Sequence, residues 1–136
     1  MKTESEIKDD IISHIKSTQL ATEVTGQVLK RLRPKNSDKE DVIITVLGAI
    51  PMDQQQEVPV NVNIYVRERL QDGQYAPDEP RERKLQKIAE QSLKVGGIGK
   101  SYGFTLVSQQ TFEVDESDKH ERCINNRILY TYYNED

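Results

Sequence analysis

The stretch Val58 to Arg67, VPVNVNIYVR, alternates apolar and other residues in strict order. Successive side chains of a strand point to opposite faces, so Val58, Val60, Val62, Ile64 and Val66 share one side. Pro59, Asn61, Asn63, Tyr65 and Arg67 share the other. One face is therefore bound for a core and the other for solvent or a neighbour, which calls for a sheet covered on one side.

The cover is legible elsewhere. Thr3-Glu-Ser-Glu6 has the form of a capping box, and Ile7, Ile11, Ile12 and Ile15 follow as one helical stripe. Thr18 is placed to cap a second short helical turn through Leu20, Ala21 and Val24, ended by Gly26. Asp78 is placed to cap a further amphipathic helix, with Pro80 in its first turn and Leu85, Ile88, Ala89, Ser92 and Leu93 on its apolar side.

Strands fill the remainder. Val28 and Leu32 lie in a stretch read as a strand leading to Pro34, and residues 34–40 read as a loop. Asp41 to Ala49 is β-branched and apolar on both parities, as expected of a strand covered on both faces. Residues 51–57 read as a turn, and Asp72-Gly73 with Pro77 to Pro80 punctuates a long polar loop. Phe104, Leu106, Phe112 and Val114 share a parity. Ile124, Ile128, Tyr130 and Tyr132 share another, and the polar turn Asp115 to Lys119 joins these strands into a β-hairpin. The expected fold is a single α+β domain over 1–136. It has a mostly antiparallel sheet of four to five strands and two amphipathic helices packed on one face, in the order α-(α)-β-β-β-α-β-β.

Composition narrows the function. With 136 residues, 35% apolar and 31% charged, the chain supports one modest core and a well-solvated surface. The longest apolar run, Val42 to Ile50, falls short of the ~20 residues of a membrane helix. The polar start MKTESEIKDD does not read as a signal peptide, and one cysteine allows no internal disulfide. The expectation is a cytoplasmic protein without a membrane partner. Net charge is −4, yet residues 79–100 carry six basic and three acidic side chains while 101–136 carry three and seven. An acidic chain with a basic segment argues against a dedicated duplex binder and for docking between copies or with a partner.

VGGIGKS, Val95 to Ser101, resembles the end of a phosphate-binding loop. That motif needs a glycine five positions before its last glycine, and a strand before and a helix after it, so that amides converge on the phosphates. Here Lys94 stands in the glycine's place, a helix precedes and a strand follows. Gly96 reads instead as the left-handed residue that stops the helix. His14 and His120 lie far apart with no cysteine partner, Asp115 to Asp118 lacks the spaced oxygens of a calcium loop, and Cys123 alone is no nucleophile. No catalytic, cofactor-binding or metal-binding residue is expected, and no small-molecule substrate.

Two polar features remain. Asn61, Asn63, Tyr65 and Arg67 are unusual for a merely solvated strand face and read as candidate subunit-contact residues. Lys30, Arg31, Arg33 and Lys35, with Arg81, Arg83, Lys84 and Lys87, form candidate basic clusters. They supply the alternative reading, a nucleic-acid-associated accessory domain using the basic clusters at 30–35 and 81–94; under the leading reading any contact with nucleic acid is indirect or weak.

The N-terminal helix Ile7 to Leu20, the strand Val58 to Val66, the Leu-x-x-Ile-Ala-x-x-Leu helix Leu85 to Leu93 and the hairpin Phe104 to Tyr132 resemble, in order and pattern, the tail-completion or tail-terminator proteins of long-tailed bacteriophages and prophages. The resemblance covers nearly the whole chain but carries no diagnostic residue signature. It implies a small α+β subunit that assembles into a ring, commonly hexameric, capping the tail tube and meeting the head connector. It implies a structural role without catalysis, in the host cytoplasm or the virion. Asn63, Tyr65 and Arg67 would then form one ring patch, and Asp115, Glu116 and Asp118 on the hairpin the other.

Overall fold

The computed structural model describes residues 2–48, 55–114 and 119–133. Helix α1 (Glu4–Lys16) begins with the capping box: the Thr3 side chain accepts from the Glu6 N–H, and the Glu6 carboxylate accepts from the Thr3 N–H. A short α2 (Gln19–Glu23) follows, then β1 (Val28–Leu29), β2 (Val42–Val46), β3 (Gln55–Arg67), β4 (Arg69–Gln71), β5 (Gln74–Ala76), α3 (Glu79–Leu93), β6 (Val95–Gly96), β7 (Tyr102–Glu113) and β8 (Glu121–Tyr133). A mixed sheet runs in the order β1-β2-β3-β8-β7-β6, and β4-β5 form a separate ribbon. The class is α+β. Among the described residues the two amphipathic helices and the short helical turn between α1 and β1 are present as expected, but the main sheet has six strands in place of the four to five expected.

The alternation of β3 decides the layering. Val58, Val60, Val62, Ile64 and Val66 are buried, as are Tyr130, Ile128 and Ile124 beside them on β8. Ile7, Ile11 and Ile15 of α1 and Leu85, Ile88, Ala89 and Leu93 of α3 join them in one cluster, so both long helices cover the same face. Each fully buried Val, Leu or Ile side chain among them contributes about 1.5–3 kcal/mol. Asp78 caps α3 as expected, its Oδ1 accepting from the Arg81 N–H.

Several expectations are corrected. β2 is buried on one face only, at Val42, Ile44 and Val46, while Thr45 is exposed. Leu32 lies outside any strand and is exposed; β1 is only Val28–Leu29 and runs parallel to β2. The 72–73 region is no loop: Asp72 (φ 53°) and Gly73 (φ 78°) form the turn of the β4-β5 hairpin, a geometry Asp-Gly favours. α2 closes at Glu23 with Val24 extended. Gly26 instead lies against the next segment, its N–H donating to the Glu40 carbonyl, and a Cβ there would collide with Asp41.

The most consequential correction is in β7. A bulge between Leu106 and Ser108 shifts the register, so Phe104 and Leu106 share the helix-covered face but Phe112 emerges on the opposite one. Phe112 is accordingly 45% exposed. Gly96 is also not the left-handed cap. It pairs with Phe104 in β6, and a Cβ there would strike the Phe104 ring, while the positive φ values fall on Gly97 and Gly99.

Candidate assembly surface

The face of the sheet away from the helices is built on β3 and β8, where Asn61 pairs with Arg127, Asn63 with Asn125, Tyr65 with Cys123 and Arg67 with Glu121. The choice of Asn on a strand has a local reason. Asn125 donates its amide to the Asn63 Oδ1 at 2.7 Å, and Arg127 donates Nε–H to the Asn61 Oδ1 at 3.1 Å. These cross-strand pairs hold the side chains in place, with Asn125 buried and Arg127 exposed.

Toward Tyr65 the face is partly covered. The Arg33 guanidinium lies 4.3 Å over the Tyr65 ring, donates to Asp41 at 3.0 Å, and meets Glu121 with both of its terminal nitrogens at 2.9 Å. The fork also reaches the Lys39 carbonyl at 3.0 Å, so one side chain ties the 30–40 segment to β8. Burial alone would lower the Arg33 pKa, but the Glu121 and Asp41 carboxylates outweigh it and the net shift is upward. Burial pushes the Asp41 carboxyl up, while hydrogen bonds from Ser37, the Gln27 N–H and Arg33 pull it down, and the net shift is downward. Arg67, at the end of the row, is half exposed and pairs with the exposed Asp38 at 3.7 Å. Asp115, Glu116 and Asp118, the proposed second patch, lie outside the described residues.

Several members of the basic clusters are engaged within the subunit. Arg33 is turned inward, Lys30 pairs with Asp9 at 2.8 Å, and Lys84 pairs with Glu23 at 3.4 Å. Arg81 makes ion pairs with Glu40 at 2.6 Å and Glu23 at 2.7 Å, which hold its guanidinium firmly charged despite its partial burial. Arg31, Lys35, Arg83 and Lys87 are exposed. A cluster that reads as basic in one dimension has half its members in ion pairs, of which those of Arg33 and Arg81 are largely buried and those of Lys30 and Lys84 lie at the surface.

The glycine segment forms a turn in which the Lys100 N–H donates to the Gly97 carbonyl at 2.9 Å, with Gly97 at φ 80°. Beside it is a cleft of about 370 Å³ lined by residues that include His14, Ser17, Ile98, Lys100 and Tyr102. It abuts the C-terminal end of α1, whose carbonyls disfavour an anion. His14 donates a ring N–H to the Ser92 carbonyl at 2.8 Å and sets its ring edge-on to Phe104, while His120 stacks on Tyr75. Among the described residues no group of His, Cys, Asp and Glu is arranged to hold a metal ion.

Sequence reasoning missed a polar layer between α3 and the sheet. Asn126 occupies the inward row of β8 and is fully buried; it donates to the Val62 carbonyl and accepts from Gln109, which also donates to the Gln86 carbonyl. Gln86 donates to Thr111, and Arg122 pairs with Glu82 at 2.6 Å. The signal was available in the spacing of Asn126 between Ile124 and Ile128. Comparison with known proteins found no matching family model and no matching curated protein.

Proposed function

We propose that this protein is a structural subunit of a phage-like tail, a tail-completion or terminator protein that associates head to tail into a ring over the end of the tail tube. The observation that carries the reading is the helix-free sheet face. A fold with both long helices on one side presents, on the other, a polar row in which Asn63 is tied to Asn125 and Asn61 to Arg127, with Arg67 exposed at its end. Such a row suits a protein–protein contact, because its hydrogen-bonding groups are pre-oriented and little side-chain entropy remains to be lost. A ring of more than two subunits needs two different patches, and this face supplies one of them.

The test uses purified tail tubes from the parent element. Added protein is expected to bind at tube ends and to stop further addition of tube subunits. Arg67→Glu, which leaves the amide pairs intact, should abolish or greatly weaken that capping. Tubes that elongate equally with and without the protein would refute the reading.

A further inference from the structure

The sheet ends on an open edge at β7. β6 pairs with Phe104 and Thr105, and the Lys94 carbonyl accepts from the Leu106 N–H, so, among the described residues, 107–113 have β8 on one side and no strand on the other. The Val114 N–H donates to Glu121 on the β8 side. Alternation from there leaves Gln109, Thr111 and Glu113 aiming their backbone N–H and C=O groups outward. Natural sheets guard such an edge with lysine, proline, a bulge or a covering element, and here the bulge at Val107 protects only the start of the run, leaving Ser108 to Phe112 regular. The run Val107 to Phe112, VSQQTF, has no charge and no proline, and Val107 is 61% exposed.

Helix α3 runs along the same edge. Gln86 lies over Gln109 and Thr111, and the Lys94 carbonyl meets Leu106. The helix rises about 12 Å between Gln86 and Lys94, against the roughly 10 Å of the three ladder steps that separate Gln110 from Leu106 across the bulge, so helix and strand run antiparallel at a moderate tilt. The helix flank facing the open side carries Glu79, Arg83, Lys87, Glu90 and Lys94, all exposed. The ion pairs that α3 makes within the subunit involve other residues, Arg81, Glu82 and Lys84.

We propose that this edge is a docking surface for a second copy of the chain, through antiparallel β7–β7 pairing about a two-fold axis beside Gln110. The register is self-complementary at both levels. In the sheet, Gln109 of one copy faces Thr111 of the other, so the outward backbone groups exchange their hydrogen bonds and Ser108 sits beside the second copy's Phe112. Above the sheet the same axis passes beside Gln86 and Lys87. It sets Arg83 opposite Glu90 of the second copy, and Glu79 opposite its Lys94. With α3 above β7 and β8, the two helices come about 10 Å apart, within ordinary helix-packing range. The two-fold pairing is the resting state of the free subunit. It leaves Asn61, Asn63, Tyr65 and Arg67 open, so it is independent of the ring reading.

Sedimentation equilibrium of the full chain at low salt tests the pairing, with thermal melts as the check that each variant is folded. The wild type is expected to dimerise. Gln110→Lys sets two lysines against each other at the axis and should raise Kd on the order of tenfold, as should Arg83→Glu. The charge swap R83E/E90R should restore dimerisation, and R67E should leave it unchanged. A chain that stays monomeric, self-association indifferent to Q110K and R83E, or a swap as weak as R83E alone would overturn the proposal.

Discussion

Replacing Arg33 with alanine is the most searching test of how the helix-free face is held. Its side chain is 12% exposed, and its carboxylate partners Asp41 and Glu121 are 3% and 2% exposed. Removing the guanidinium leaves both carboxylates buried without their cation, and breaking a buried pair in this way costs about 3–5 kcal/mol. The Tyr65 ring loses its covering plane as well. Arg33→Lys should recover only part of the loss, because an ammonium cannot present the fork that meets both Glu121 oxygens. Adding Glu121→Gln to the alanine variant should recover stability, since it removes one of the stranded charges. The assay is equilibrium denaturation in urea at neutral pH. A loss below about 1 kcal/mol for Arg33→Ala, or a further loss on adding Glu121→Gln, would refute the view that this ion cluster anchors the 30–40 segment.

Ile64→Ala, at a fully buried position in the centre of β3, should cost about 2–5 kcal/mol in the same assay, and a cost below about 0.5 kcal/mol would contradict the face assignment. Stability should fall on acidification: Asp41 has its folded-state pKa lowered, so its contribution is present above the unfolded carboxylate pKa near 4 and is lost as pH drops through the folded value. The Arg33→Ala variant should show a weaker acid dependence. Cys123 should resist thiol reagents in the folded state at pH 8, because burial pushes its thiol pKa up to about 12; rapid labelling without unfolding would contradict that burial.

What the sequence made legible was local. The β3 alternation, the Thr3 capping box and the Asp78 cap all rest on residues within one turn or one strand, and each appears in the fold. What it hid depended on distant partners. Arg33 reads as one of four close cations until Glu121, far along the chain, folds against it. Phe112 reads as core because Val107 looks like any strand residue, and nothing local marks the bulge that turns Phe112 outward. Two-residue strands such as β1 and β6 carry too few side chains for a period and exist only through their neighbours. The Asp72-Gly73 hairpin was different, since its turn signal was present and its flanking residues were simply too polar to suggest strands.

The central claim is that the helix-free sheet face joins subunits at the end of a tail tube. Cryo-electron microscopy of tail tubes incubated with the protein addresses it most directly. The account predicts a closed ring at the tube end, with Asn61, Asn63 and Arg67 buried at each subunit boundary. Bare tube ends, or a ring in which that face of β3 looks out into solvent, would contradict it.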